Sequence, residues 1–248
     1  MKPDLADARQ KLNRAGHHIA HLDAWINGRL SADYYRLTVE PKDGNRLSYN
    51  FQSLHDLSRD AEAIIGDAIG NLRSTLDYII GALVFPITGE RKNSGFPFAN
   101  DAKGFAGEVR GERCFGLLPE TLQDAIINDV QAYKGGSGEA LWALNQLRNV
   151  DKHRLLVTTQ RVAAISLSFR DANGNTFIDC KMGVPEGQKT TAISAPMGHI
   201  QITSQPRPTF AISIQEPGVI EGAEALSFLQ TCANQVNGVL KTVEVTLN

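Results

Sequence analysis

The sequence predicts an α+β protein: a helical bundle that carries a small antiparallel β layer inserted before the C-terminal helix. Over much of residues 1–154, apolar residues recur every three or four positions, which is the period of a helix. Between residues 155 and 215 apolar and polar residues alternate instead, as in strands with one buried face. The helical period then returns. We therefore expect a single domain over 1–248, with a helical part (1–30, 55–154 and 220–245) and a β-rich part (33–52 and 155–216).

The first predicted helix covers about residues 3–29. Leu5, Leu12, Ile19 and Ile26 recur every seven residues and lie on one side of a helix. Gly28 is a plausible stop signal. This helix has one face to bury.

A β-hairpin is predicted next. Apolar and polar residues alternate over 35–40 and again over 47–51. The segment between them is Pro41-Lys42-Asp43-Gly44-Asn45, in which the Asp-Gly step supplies turn geometry.

The central predicted helix covers about residues 57–84 and ends before Pro86. Its apolar stripe is Ile65, Ile69, Leu72, Leu76, Ile79 and Leu83. Arg73 and Asp77 stand four residues apart, a spacing at which opposite charges on a helix can pair directly. The glycines of this segment either mark the close approach of another helix or weaken this one; they are Gly66, Gly70 and Gly81.

The remaining elements follow in order. Residues 86–119 are predicted to form a long irregular connection whose phenylalanines pack onto the body of the protein. Short helices are expected at about 119–133 and 138–153, divided by Gly135-Gly136-Ser137-Gly138, which we interpret as a hinge or cap. In the β region Asn173-Gly174 is a hairpin turn signal. A final helix is expected over about 221–244.

Composition limits the function classes. A formal net charge of -2 argues against a generally basic nucleic-acid binder, so a nucleic-acid site has to be a local patch. The three cysteines are far apart and form no CxxC pair, which disfavours a disulfide framework or a zinc ribbon and favours reduced thiols in the cytoplasm. The N-terminus lacks the apolar core of a signal peptide, and no apolar run is long enough to cross a membrane. We expect a cytoplasmic protein without a membrane partner.

Side chains that could bind a ligand or transfer a proton are most concentrated in the segment Arg148-Asn149-Val150-Asp151-Lys152-His153, followed by Arg154. A guanidinium can hold an anion and an imidazole can move a proton near neutral pH, which suits phosphate chemistry. In a continuous helix, however, Arg148 and His153 differ by about 140° around the axis. They converge only if the helix frays near residue 150 or if two chains contribute side chains to one site.

A structural interpretation competes with the chemical one. Asp151 and Arg154 can form a polar clasp with Arg73 and Asp77 of the central helix, since buried charges need partners. His153 then donates a hydrogen bond to a carbonyl or carboxylate of the core.

The hexapeptide Arg148–His153 resembles the R-x4-6-H motif of the HEPN superfamily, including the polar residue that often follows the arginine. The resemblance implies a HEPN-like bundle and a metal-independent endoribonuclease, usually with its site composed at a dimer interface. By this resemblance Arg148 binds and orients phosphate, His153 assists proton transfer as a 2′-hydroxyl attacks, and Asn149 helps to position them. Lys152 and Arg154 add phosphate-binding charge.

A second resemblance covers about residues 66–156 and leaves the β region unmatched. A widespread, uncharacterised bacterial family often carries LRSALDH, FPI and NIDKHR at similar spacing. Its signature centres on Arg73, Asp77 and the 151–154 segment rather than on Arg148. The corresponding segments here are Asn71-Leu72-Arg73-Ser74-Thr75-Leu76-Asp77-Tyr78, Phe96-Pro97-Phe98 and Asn149-Val150-Asp151-Lys152-His153-Arg154.

The other motifs give weaker indications of a functional site. His17 and His21 have the i,i+4 spacing of a metal pair, but the segment lacks an HExxH motif and an obvious third ligand, so we expect a solvated polar face, no metal and no cofactor. The leading hypothesis is RNA cleavage or RNA binding, with RNA and a second copy of the chain as expected partners and an antitoxin-like protein as a candidate partner. The alternative is a noncatalytic binding or scaffold protein whose Arg/Asp/His cluster is structural.

Overall fold

The computed structural model describes residues 3–28, 35–42, 44–53, 60–89, 95–111, 114–154, 159–184, 189–204 and 207–247. Within these ranges it describes the backbone alone for residues 35, 53, 114, 151–154, 159–165, 182–184, 190, 192, 207, 208 and 210. The helices in these ranges are α1 (Ala6–Gly28), α2 (Asp60–Thr88), α3 (Ala102–Arg110), α4 (Glu120–Ala125), α5 (Glu139–Arg154) and α6 (Ala225–Thr246). The strands are β1 (Tyr35–Lys42), β2 (Arg46–Ser53), β3 (Thr159–Asp171), β4 (Thr176–Val184), β5 (Lys189–Pro196), β6 (Ile200–Ile202), β7 (Arg207–Glu216) and β8 (Ile220–Glu224). The α+β class expected from the sequence is confirmed. None of the described helices combines the length and apolar composition needed to cross a membrane.

The chain divides into two compact units. The helical unit comprises Met1–Leu22, Asp60–Thr158 and Ile214–Asn248. The β unit comprises Asp23–Arg59 and Thr159–Ser213. Boundaries between the units fall within α1 and β7, and β8 belongs to the helical unit. Residues 220–224, which were expected to begin the C-terminal helix, instead form β8, and the organisation of the chain as one domain stays a prediction.

Helix α2 is the central element of the helical unit and packs against both α5 and α6. Its apolar stripe is fully buried at Ile65, Ile69, Leu72, Leu76 and Ile79. Burying a side chain of this size contributes ~1.5–3 kcal/mol. Packing on two sides therefore explains why the apolar surface of α2 is broad.

Helix α2 does not end before Pro86, as the sequence suggested, but continues to Thr88. Pro86 cannot donate to the carbonyl four residues earlier, and the helix extends only two residues beyond it. The turn is completed by the Gly89 N–H, which donates to the Phe85 carbonyl at 2.9 Å, and by the Thr88 hydroxyl, which donates to the Val84 carbonyl at 3.2 Å.

The connection predicted to be irregular over residues 86–119 contains α3. Its N-cap is Asp101, whose carboxylate accepts the Gly104 N–H at 2.7 Å. Phe105 and Val109 lie one turn apart and are fully buried. The prediction failed because two glycines in this short helix lower its apparent helix propensity. The expectation that the phenylalanines pack onto the body is confirmed for Phe96, Phe105 and Phe115, which are buried.

The start of α5 is set by the glycine segment 135–138. The Gly138 N–H donates to the Gln131 carbonyl at 3.2 Å. A Cβ at Gly138 would lie 2.1 Å from the Val130 carbonyl oxygen, so a larger residue does not fit there. The loop thus makes a close backbone contact where the sequence indicated a hinge or cap.

The β unit contains strands from both β-rich segments. β1 and β2 form the predicted antiparallel hairpin, and β2 then pairs antiparallel with β5, which follows much later in the chain. The second sheet has the order β4-β3-β7-β8, with β6 pairing to β3. The β layer is therefore two sheets, and it does not come only from the segment before the C-terminal helix.

The predicted turn at Asn173-Gly174 joins β3 to β4. Gly174 adopts a φ of 85°, which glycine accepts without strain. The side-chain amide of Asn175 donates to the Asp171 carboxylate, and the Asn173 and Asn175 backbone N–H groups do so too. The Asn175 amide, followed by these N–H groups, lowers the pKa of Asp171 below its ordinary value.

Candidate functional site

The best-defined polar cluster joins α2 to α5 around Arg73. The Arg73 Nε donates to the Asn145 Oδ1 at 2.8 Å, and Arg73 Nη1 lies 2.5 Å from Asp77 Oδ1. The Arg73 side chain is 15% exposed, and its guanidinium carbon lies 4.7 Å from the centroid of the Phe98 ring. A planar cation of this kind pairs and stacks at the same time.

The carboxylate of Asp77 also holds the Phe96–Phe98 segment. Asp77 Oδ1 accepts the Phe96 backbone N–H at 3.0 Å. The Phe96 ring packs against Phe98, with centroids 5.2 Å apart, and edge-on against Phe115 at 6.4 Å. The Arg73–Asp77 pair therefore fixes a loop onto two helices.

The Arg73–Asp77 pair predicted from the i,i+4 spacing is present. Its further members, Asn145 and Phe98, were not predicted as members of the cluster. The only local signal for Asn145 is its position three residues before Arg148, on the same side of α5. The side chain of Asp151, the third member predicted for this cluster, lies outside the described residues.

Arg148 lies one turn after Asn145 and packs against α2. Its side chain is half-buried, and its Nε would lie 3.9 Å from a Cβ placed on Gly70. The contacts of Asn145 with Arg73 and of Arg148 with Gly70 show that α2 and α5 run antiparallel. Asn149, the next residue, is exposed.

The end of α5 carries the remaining predicted site residues. The helix continues through Arg154, so the alternative in which it frays near residue 150 is not realised. The Cα atoms of Arg148 and His153 are consequently displaced by about 7.5 Å along the axis and by about 140° around it. The side chains of Lys152, His153 and Arg154 lie outside the described residues.

The histidines of α1 lie in different surroundings. His17 and His21 are exposed, while His18 Nδ1 lies 3.9 Å from Asp67 Oδ2 of α2. Among the residues that the structure describes, no three His, Cys, Asp or Glu side chains are placed to share a metal ion.

Comparison with protein-family models, with curated proteins and with solved structures finds no match for this chain.

Proposed function

We propose that this protein is a HEPN-like, metal-independent endoribonuclease that acts with Arg148, Asn149 and His153, while Lys152 and Arg154 contact phosphate. The observation that carries the proposal is the position of the Arg-x4-His sequence in the last turns of α5, within a helical unit. This is the setting that the resemblance implies.

The Arg73 cluster accounts for two of the landmark residues, Arg73 and Asp77, without a role in the proposed reaction. Asp77 is engaged by Arg73 and by the Phe96 N–H, so these landmarks have a structural role of their own. The structural interpretation thus applies to Arg73 and Asp77, and we propose that the end of α5 forms a separate site.

The proposed reaction needs only RNA and side chains. The 2′-hydroxyl gives up its proton as its oxygen attacks the neighbouring phosphorus, the bond from phosphorus to the 5′-oxygen breaks, and the 5′-oxygen takes up a proton and leaves as a hydroxyl. A guanidinium from Arg148 holds the phosphate oxygens in a bidentate manner, and the imidazole of His153 assists the proton transfer. The products are a 2′,3′-cyclic phosphate and a 5′-hydroxyl.

The geometry of α5 favours a site composed of two chains. Within one helix, Arg148 and His153 occupy different faces. A two-fold symmetric dimer brings the same surface of each chain together, so that Arg148 of one chain can lie beside His153 of a second chain. We therefore propose a homodimer with two such composite sites.

The purified protein is expected to cut single-stranded RNA in the presence of EDTA. Attack by the 2′-hydroxyl predicts fragments with 2′,3′-cyclic phosphate ends, which mass spectrometry identifies, and predicts that 2′-O-methyl RNA of the same sequence stays intact. Loss of cleavage on adding EDTA would contradict the proposal. Binding of RNA without cleavage would instead favour the RNA-binding alternative.

A further inference from the structure

A groove lies between α1 and α2 in the helical unit, away from the Arg73 cluster. Lys11 Nζ lies 5.9 Å from the centroid of the Tyr78 ring at one end, and His18 approaches Asp67 further along. The two helices therefore run antiparallel along the groove. Its volume is about 590 Å³, and it is open to solvent.

The walls of the groove combine three kinds of side chain. α1 contributes the cations Lys11 and Arg14 together with His17, and α2 contributes Asn71 and Tyr78. These α1 residues recur every three or four positions and so form one continuous face. Among the residues that line the groove, the carboxylate is Asp7, one turn before Lys11, so the lysine and arginine outnumber it. Asp67 lies beyond this lining, beside His18.

This combination matches the chemistry of a nucleotide unit. Lysine and arginine neutralise phosphate, while an exposed aromatic ring offers a face on which a base can stack. Tyr78 is 39% exposed, so part of its side chain is open to solvent. Asn71 is held at the wall by its side-chain N–H, which donates to the Asp67 carbonyl at 2.8 Å.

The groove reaches the level of α2 at which Arg148 packs. Gly70, which faces Arg148, directly precedes Asn71 of the groove wall. Adjacent helical residues are about 100° apart around the axis, so the groove and Arg148 flank the same turn of α2.

We infer that the α1–α2 groove binds single-stranded RNA, with phosphates at Lys11 and Arg14 and a base stacked on Tyr78. The groove thus deepens the proposed function, on which the choice of RNA as the polymer rests. The groove supplies binding affinity away from the bond that is cut. It does not distinguish one base from another, because any base offers a face for stacking.

The test measures binding of a fluorescent 2′-O-methyl 12-mer, which cannot be cut. The double variant Lys11→Gln/Arg14→Gln is expected to bind at least tenfold more weakly. Its plot of log affinity against log salt should be shallower by about 1.4, the value for two lost single-strand phosphate contacts. Tyr78→Leu should weaken binding roughly 5- to 100-fold without a comparable change in that slope.

The matched control is Lys103→Gln/Lys241→Gln, which removes the same charge from exposed positions on α3 and α6. Equal binding by the two double variants would overturn the inference. Competition by AMP at the same concentration as the 12-mer would also overturn it, since the site would then belong to free nucleotides.

Cleavage of unmodified RNA separates this inference from the proposed function. If the wild-type protein binds the 12-mer through the groove but cuts no RNA, the groove inference is supported and the proposed nuclease activity is refuted. If the wild-type protein cuts RNA but Lys11→Gln/Arg14→Gln and Lys103→Gln/Lys241→Gln bind the 12-mer equally well, only the groove inference is refuted.

Discussion

Replacement of His153 with alanine is expected to lower metal-independent RNA cleavage by at least about 100-fold, the scale on which a general acid or base contributes. A histidine side chain can serve as a proton donor or acceptor in such a reaction. Its loss should remove proton transfer while Arg148 and the α1–α2 groove still bind the substrate. The measurement is single-turnover cleavage of labelled RNA, together with thermal melting of each protein.

The matched control is His199→Ala, because His199 is an exposed histidine of the β unit. We expect it to leave cleavage unchanged. Normal cleavage by His153→Ala would show that the reaction does not use this residue. A protein that fails to fold after the same substitution would instead support the structural interpretation, in which His153 is a hydrogen-bonding group of the core.

Replacement of Arg73 with alanine is expected to lower the free energy of unfolding by about 2–3 kcal/mol. Removing one partner of a fully buried ion pair costs about 3–5 kcal/mol, and the value here is smaller because the Asp77 side chain is 41% exposed. The substitution also leaves Asn145 without its donor and removes the cation from the face of Phe98. Urea unfolding followed by circular dichroism measures the change.

Arg110→Ala is the matched control for Arg73→Ala. Arg110 pairs with Asp124 at 2.6 Å, but both side chains are 53% exposed, so the pair should contribute less than about 1 kcal/mol. Similar losses in the two variants would mean that the Arg73 cluster does not hold α2, α5 and the Phe96–Phe98 segment together. Arg73→Ala that remains folded at low temperature should still cut RNA, since Arg73 has a structural role.

Local spacing predicted the elements whose stabilising interactions are local. The stripes of α1, α2 and α6 and the turn at Asn173-Gly174 follow from periodicity and backbone preference. The pairing of β2 with β5 joins residues about 145 positions apart, and no local pattern encodes such a contact. The sequence therefore indicated the β-rich segments without indicating how they divide into sheets.

The same distinction applies to the polar residues. The Arg73–Asp77 pair was predictable because both residues lie on one helix, whereas the contact of Arg73 with Asn145 depends on how α2 and α5 pack. The role of Asn71 and Tyr78 in lining a groove depends on the packing of α1 beside α2, which no local pattern encodes. Arg148 and His153 were identified as candidates through the resemblance to HEPN proteins. Because α5 is continuous, the proposed site takes these two residues from different chains.

The most direct test of the central proposal uses dimers purified through two different tags. A dimer of one Arg148→Ala chain and one His153→Ala chain is expected to retain about half of the wild-type cleavage, because one of its two composite sites keeps both residues. A dimer of one wild-type chain and one doubly substituted chain is expected to be inactive, because neither site is complete. The opposite pattern, with activity in the second dimer and none in the first, would contradict a site shared between chains.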